Sequence, residues 1–167
     1  MGRSRVQREN RGLDQDSRDR EYRNCCRVLV IELKSVSDNV FMKDKETGLY
    51  YHAYDSERKM FWADKETGLS RNFWLRSLGW FSMALLDTLV LADKDYPDYD
   101  HLQQMYRDLI DSMLKFQSPE GMWYQVPNFP GREKNYLETS GSSIMAYCLM
   151  KGARLGFLPA EYSTYGQ

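Results

Sequence analysis

A chain of 167 residues, 42% of them hydrophobic, can bury one ordinary core, so a single domain is expected. A formal net charge of −1, with aromatics not interleaved among basic runs, argues against nucleic acid or an anionic membrane as partner. Cys25, Cys26 and Cys148 make neither a metal-ligand spacing nor a good disulfide framework, and the most apolar stretch is interrupted by Ser82, Asp87 and Thr88. A cytoplasmic protein with no metal and no cofactor is the expectation.

In chain order, residues 1–33 hold eight arginines and no lysine, whereas residues 34–167 hold nine lysines and six arginines. Glu9, Asp14, Asp16, Asp19 and Glu21 dilute the basic charge, so residues 1–35 read as a disordered or artefactual leader and residues 36–167 as the domain. A helix from about Arg18 to Val40 is weakened by its β-branched residues. Asp44-Lys-Glu-Thr-Gly-Leu49 recurs letter for letter at Asp64–Leu69, and each copy reads as a polar turn. Between them, Leu49–Asp55 reads as a short aromatic strand with Met60-Phe61-Trp62 as its hairpin partner.

From Phe73 to Ala92 the apolar residues lie at nearly every angle, which predicts the most buried helix. From Tyr99 to Phe116 they form a stripe, Leu102, Met105, Tyr106, Leu109, Ile110 and Met113, with Asp98 or Asp100 available as N-cap. Met122–Val126 is a second aromatic segment, and a third helix is expected from Thr139 or Ser140 to Leu155, with Gly156 at its C-terminal cap. The alternation of inner and outer helices predicts concentric α-hairpins, with a site where the long aromatic loops gather.

Chemistry concentrates in Trp74-Leu-Arg-Ser-Leu-Gly-Trp80 at a helix start. Indole faces stack on pyranose C–H groups, Arg76 offers a planar fork to a carboxylate, and Gly79 would let a ring approach the backbone. The same spacing also fits core aromatics beside a snorkelling cation. His52 fits either a structural histidine or a hydrogen-bonding partner of a substrate hydroxyl or carboxylate. Leu137-Glu-Thr-Ser-Gly-Ser-Ser143 offers a carboxylate, hydroxyls and free N–H groups at a helix start, which fits a helix cap as well as a site, and the nucleophile-elbow pattern is absent. No pair of carboxylates can be given acid and base roles from sequence distance alone.

The run Thr47-Gly-Leu-Tyr-Tyr-His-Ala-Tyr-Asp55, then Trp62-Ala-Asp, Thr67-Gly-Leu-Ser70, Trp74–Trp80, Gly121-Met-Trp-Tyr-Gln125 and Leu137–Ser142 resembles glycoside hydrolase family 105. These are the unsaturated rhamnogalacturonyl hydrolases, kin of the family 88 unsaturated glucuronyl hydrolases. The resemblance implies an all-α fold, a partial (α/α)6 toroid of helical hairpins with short aromatic β-hairpin loops. It implies a pocket for a 4,5-unsaturated galacturonic acid at the end of a rhamnogalacturonan oligosaccharide. There an aspartic acid protonates C4 of the vinyl ether, water adds at C5, and the hemiketal collapses.

By motif match, His52, Trp74, Arg76 and Trp80 correspond to substrate-binding residues, with Arg76 facing the carboxylate. The family's acid/base aspartate belongs to a segment that does not precede Leu49 here, so the catalytic residue is unassigned. The expectation is the C-terminal half of the family, weakly active or inactive, self-associating through exposed helix faces. Should a carboxylate of this chain act as the acid, Asp55 and Glu138 come first. The alternatives are an unsaturated glucuronyl hydrolase, and a non-catalytic helical-repeat or uronate-binding module.

Overall fold

The computed structural model describes residues 42–167. The leader expected over residues 1–35 and the helix expected between residues 18 and 40 lie outside the described residues. Within them run α1 (Leu75–Leu91), α2 (Tyr99–Leu114), α3 (Thr139–Arg154) and a 3-10 segment, Ala160–Gly166. Helix α1 packs against both α2 and α3, and the 3-10 segment lies along α3. The only regular pairing among the described residues is in isolated antiparallel bridges, so helices dominate as the sequence implies. None of these helices is long and apolar enough to cross a membrane.

The two identical hexapeptides fold identically. Asp44 takes the Thr47 N–H at 2.8 Å and the Thr47 hydroxyl at 2.7 Å, and Asp64 does the same to Thr67 at 2.8 and 3.0 Å. Each turn closes with its glycine in the left-handed region, at φ 74 for Gly48 and 79 for Gly68, which is why only glycine sits comfortably there. A Cβ on Gly48 would also fall 2.3 Å from Ser112 Oγ, so this turn is seated against α2.

The expected partner of the first aromatic strand is not the one observed. Tyr54 bridges Leu69, and Ala63 bridges Ser70, while Ser70 N–H donates to the Ala53 carbonyl at 2.9 Å. Met60-Phe61-Trp62 is excluded from that pairing by Asp55. Its carboxylate accepts the backbone N–H groups of Glu57, Lys59 and Met60, curling the chain into a tight loop that turns Phe61 outward at 85% exposure.

The helices differ from expectation in how they bury. α1 and α2 each bury eight residues, so α1 is not the more buried of the two. One side of α1 (Leu75, Leu78, Ser82, Leu85, Leu86, Leu89) is enclosed, and Trp80, Val90 and Leu91 on the other are exposed. All-round apolarity records what a helix could bury, and the neighbours described here cover only one side. α2 keeps its expected stripe, but Asp98, at the N-cap position with φ 72, makes no side-chain cap.

Small residues set the crossing of α1 and α3. A Cβ on Gly141 would lie 2.5 Å from Leu75 Cγ, and one on Gly79 would lie 3.1 Å from Ile144 Cγ2. Close approach here is what lets the starts of the two helices share one surface. Two polar ties fix the layers. Buried Trp123 donates its indole N–H to the Met113 carbonyl at 2.7 Å, and Tyr106 donates its hydroxyl to the Cys148 carbonyl at 2.8 Å. Each meets a carbonyl that burial would otherwise leave costly by about 1–3 kcal/mol.

Candidate active site at the start of α1

Trp74 stands at the N-cap of α1 in extended conformation, and the first helical N–H, that of Leu75, donates to the Gln125 carbonyl at 3.0 Å. The loop after α2 therefore fastens the start of α1. His52 reaches the same place from the first aromatic loop. Its Nδ1 lies 3.1 Å from the Asn72 carbonyl, which orients the imidazole, and its ring meets the Trp74 ring edge-on at 5.9 Å between centroids. The Arg76 guanidinium lies 4.9 Å from the centre of the Trp74 ring. Such stacking leaves the edge of the fork available to an anion.

Arg76 Nε is buried and has no hydrogen-bond partner among the described residues. A buried guanidinium donor left unmatched is uncommon, and it marks a place where an acceptor belongs. The Glu138 carboxylate, at the start of α3, lies near enough to feel the Arg76 charge. Glu138 is itself enclosed, and its carboxylate accepts from Ser140 N–H at 3.1 Å, Ser140 hydroxyl at 2.7 Å and Gly141 N–H at 2.7 Å. Burial pushes this carboxyl up, but those hydrogen bonds and the Arg76 charge outweigh it and hold its pKa below the ordinary value.

Of the four residues picked from sequence, three meet in one cluster: His52, Trp74 and Arg76. Trp80 lies four residues after Arg76, hence on the same helix face, and is 58% exposed, but among the described residues it shares no ring contact with the other three. Gly79 does not offer bare backbone to a ring as its spacing implied. It is buried against Ile144 and Gly141, so its smallness serves helix packing.

Asp55 is no acid in waiting either. Backbone hydrogen bonds from Met60, Glu57 and Lys59 lower its pKa. Among the described residues no group of His, Cys, Asp and Glu could hold a metal ion.

Two features escaped sequence reasoning. The loop after α2 contributes Gln125 and Tyr136, joined by a hydrogen bond of 2.6 Å from the Tyr136 hydroxyl to Gln125 Oε1. The second is a separate cavity of about 410 Å³ lined by Arg107, Asp111, Gly156, Leu158, Pro159 and Tyr162. Its polar side chains already have partners, Arg107 Nε giving to the Phe157 carbonyl and Tyr162 hydroxyl to Asp111.

The model of glycosyl hydrolase family 88 matches residues 15–167. The chain belongs to that family. The match begins inside the arginine-rich stretch, about twenty residues before the domain boundary expected near residue 36. Over 114 residues the chain is 40% identical to the 24.9 kDa protein in the picA locus of Rhizobium radiobacter, covering 68% of this chain and 48% of that one. Over 114 residues it is 28% identical to the unsaturated rhamnogalacturonyl hydrolase YesR of Bacillus subtilis (strain 168), covering 30% of that protein.

A family 105 glycoside hydrolase from C. acetobutylicum superposes with a TM-score of 0.76 at 40% identity, over 82% of this chain and 38% of that one. The family 88 chain thus spans about half the length of the first of these relatives and about a third of the other two. Its helices correspond to part of the α/α toroid of these families.

Proposed function

We propose that this family 88 chain supplies the uronate-recognising wall of a glycoside hydrolase acting on unsaturated uronides. An unsaturated galacturonyl-rhamnose unit of rhamnogalacturonan is the preferred substrate, by analogy with the named activity of the Bacillus subtilis relative. One observation carries the reading. Arg76 is stacked on Trp74 and keeps a buried Nε–H without an acceptor among the described residues, a geometry suited to the planar carboxylate of a 4,5-unsaturated uronate. His52, whose Nδ1–H is taken by the Asn72 carbonyl, offers Nε2 as an acceptor to a ring hydroxyl, and Trp74 and Trp80 offer indole faces to the sugar. The second reading, an unsaturated glucuronyl substrate, is favoured by the family 88 match itself.

The proposed reaction is hydration of the vinyl ether, in which an acid protonates C4 and water adds at C5. Asp55 and Glu138 are both held ionised by hydrogen bonds, so neither is suited to give up that proton near neutral pH. Unless another group supplies the proton, the chain is expected to bind without efficient turnover, since a missing general acid costs about 10²–10⁴-fold in rate. A cytoplasmic, reducing setting is part of the proposal and accords with the buried free thiol of Cys148.

The test is titration of tryptophan fluorescence with unsaturated galacturonyl-rhamnose and with its unsaturated glucuronyl counterpart. Arg76→Ala is expected to weaken binding about 10–100-fold, the worth of a desolvated charge-assisted pair. Equal binding by wild type and Arg76→Ala would remove the basis of the reading. Tighter binding of the glucuronyl ligand would favour the second substrate.

A further inference from the structure

The loop between α2 and α3 carries a polar aromatic pair that the uronate site does not use. Trp123–Gln125 and Tyr136–Glu138 lie antiparallel: Gln125 N–H donates to the Tyr136 carbonyl at 2.9 Å, Tyr124 bridges Leu137, and Glu138 N–H donates to the Trp123 carbonyl at 2.9 Å. This short ladder spans the starts of two helices. At one end the Gln125 carbonyl holds Leu75, the neighbour of both Trp74 and Arg76, and at the other Glu138 caps α3 and acts on Arg76. Whatever Gln125 and Tyr136 present therefore lies beside the cluster of His52, Trp74 and Arg76.

What they present is built for a neutral, hydroxyl-rich ring. Tyr136 is 55% exposed, an uncommon place for a large aromatic unless its face has a use. Its hydroxyl donates to Gln125 Oε1 at 2.6 Å, which fixes the amide and leaves the Gln125 NH2 as two donors without a protein partner among the described residues. The pair also has a rigid mount. Asn135 exchanges hydrogen bonds with Val126, its Oδ1 taking the N–H at 3.0 Å and its amide reaching the Val126 and Phe129 carbonyls at 3.0 and 2.7 Å. Lys134, just before it, is held at φ 65, a conformation that costs a lysine about 1 kcal/mol or more. The loop's charges are otherwise engaged: Lys134 with Glu133 at 4.0 Å, and Arg132 over the Phe129 ring at 5.2 Å.

We propose that Gln125 and Tyr136 form a subsite for the neutral sugar attached to the uronate, the Tyr136 ring stacking on it and the Gln125 amide donating to its hydroxyls. This rests on the uronate reading of Arg76 and adds to it the recognition of the neighbouring ring. The absence of charge on the pair sets its preference, since a second uronate would require a cation that the pair does not offer. Orientation of two donors and one aromatic face on a clamped loop provides selectivity with little ordering cost on binding.

The experiment compares two probes on the full chain: unsaturated galacturonyl-rhamnose, and the methyl glycoside of the same unsaturated uronate, which lacks the neighbouring ring. Tyr136→Phe, which keeps the ring and removes the hydroxyl, and Gln125→Leu are each expected to weaken the disaccharide about fivefold, with the methyl glycoside changed by less than about twofold. Because the two side chains act as one unit, the double variant should cost about as much as either single one. Circular dichroism checks folding, and a purely structural role would lower the affinity for both probes alike, which would overturn the proposal. Unchanged disaccharide binding in both variants would overturn it too, while Arg76→Ala weakening both probes would leave the uronate reading standing. Failure of the wild type to bind either probe would overturn both together.

Discussion

Removing the Glu138 carboxylate tests the junction on which the candidate site is built. In Glu138→Ala the Ser140 and Gly141 N–H groups and the Ser140 hydroxyl lose their acceptor in an enclosed place. Loss of a helix N-cap costs about 0.5–2 kcal/mol, and stranding buried donors of a charged acceptor costs about 1–3 kcal/mol; these overlap, so about 2–3 kcal/mol is expected. Glu138→Gln retains an acceptor of the same shape and should cost about 1 kcal/mol. Urea unfolding followed by helical circular dichroism reads the difference as a lower midpoint at unchanged slope.

The pH dependence supplies the sign. Glu138 has a folded pKa below its ordinary 4.5, so its stabilisation is fully present above that value and is lost as pH falls through the lower folded value. The gap between wild type and Glu138→Gln should therefore be full at pH 7 and close on the acid side. An alanine variant within about 0.5 kcal/mol of wild type would refute the reasoning, as would a gap that stays constant into acid.

Gly141→Ala should destabilise by about 1–3 kcal/mol through its clash with Leu75, whereas Gly79→Ala, with a looser 3.1 Å contact to Ile144, should cost clearly less; denaturant midpoints compare them. Cys148 is fully buried, and burial together with the nearby Asp87 carboxylate pushes its thiol up to about 12, so labelling at pH 8 followed by peptide mass mapping should find it modified only at the rate of unfolding. Self-association is expected through the exposed side of α1. Sedimentation velocity should show a concentration-dependent shift that Trp80→Ser together with Leu91→Ser reduces, and a strictly monomeric wild type would count against it.

What could be read from the sequence was local. The α2 stripe, the Thr139 start of α3 and the twin Asp-Lys-Glu-Thr-Gly-Leu turns each follow from residues within a few positions of one another. One miss was itself local: Asp55 gathers three backbone N–H groups two to five residues on and breaks the expected hairpin, an Asx-type turn that the aromatic pattern masked. The others needed distant partners. Gly79 has the same letter whether it faces a sugar or Ile144, and only the crossing of α3 decides between them. The tie of Gln125 to Tyr136 spans eleven positions of loop, beyond the reach of a periodicity argument.

The electrostatics separate recognition from proton donation. A general acid works best when its pKa lies near the operating pH, which requires an environment that penalises the charged form more than it solvates it. Burial does push Glu138 in that direction, but three hydrogen bonds and the Arg76 charge reverse the outcome, and Asp55 is drawn down by its own loop. The same Glu138 carboxylate that is unsuited to donate a proton is well suited to hold the start of α3 beside Arg76. Arg76 Nε in turn has no acceptor among the described residues. On the proposed reading, the proton for C4 of a bound vinyl ether would come from a group other than these two, and this cluster would hold the uronate in place.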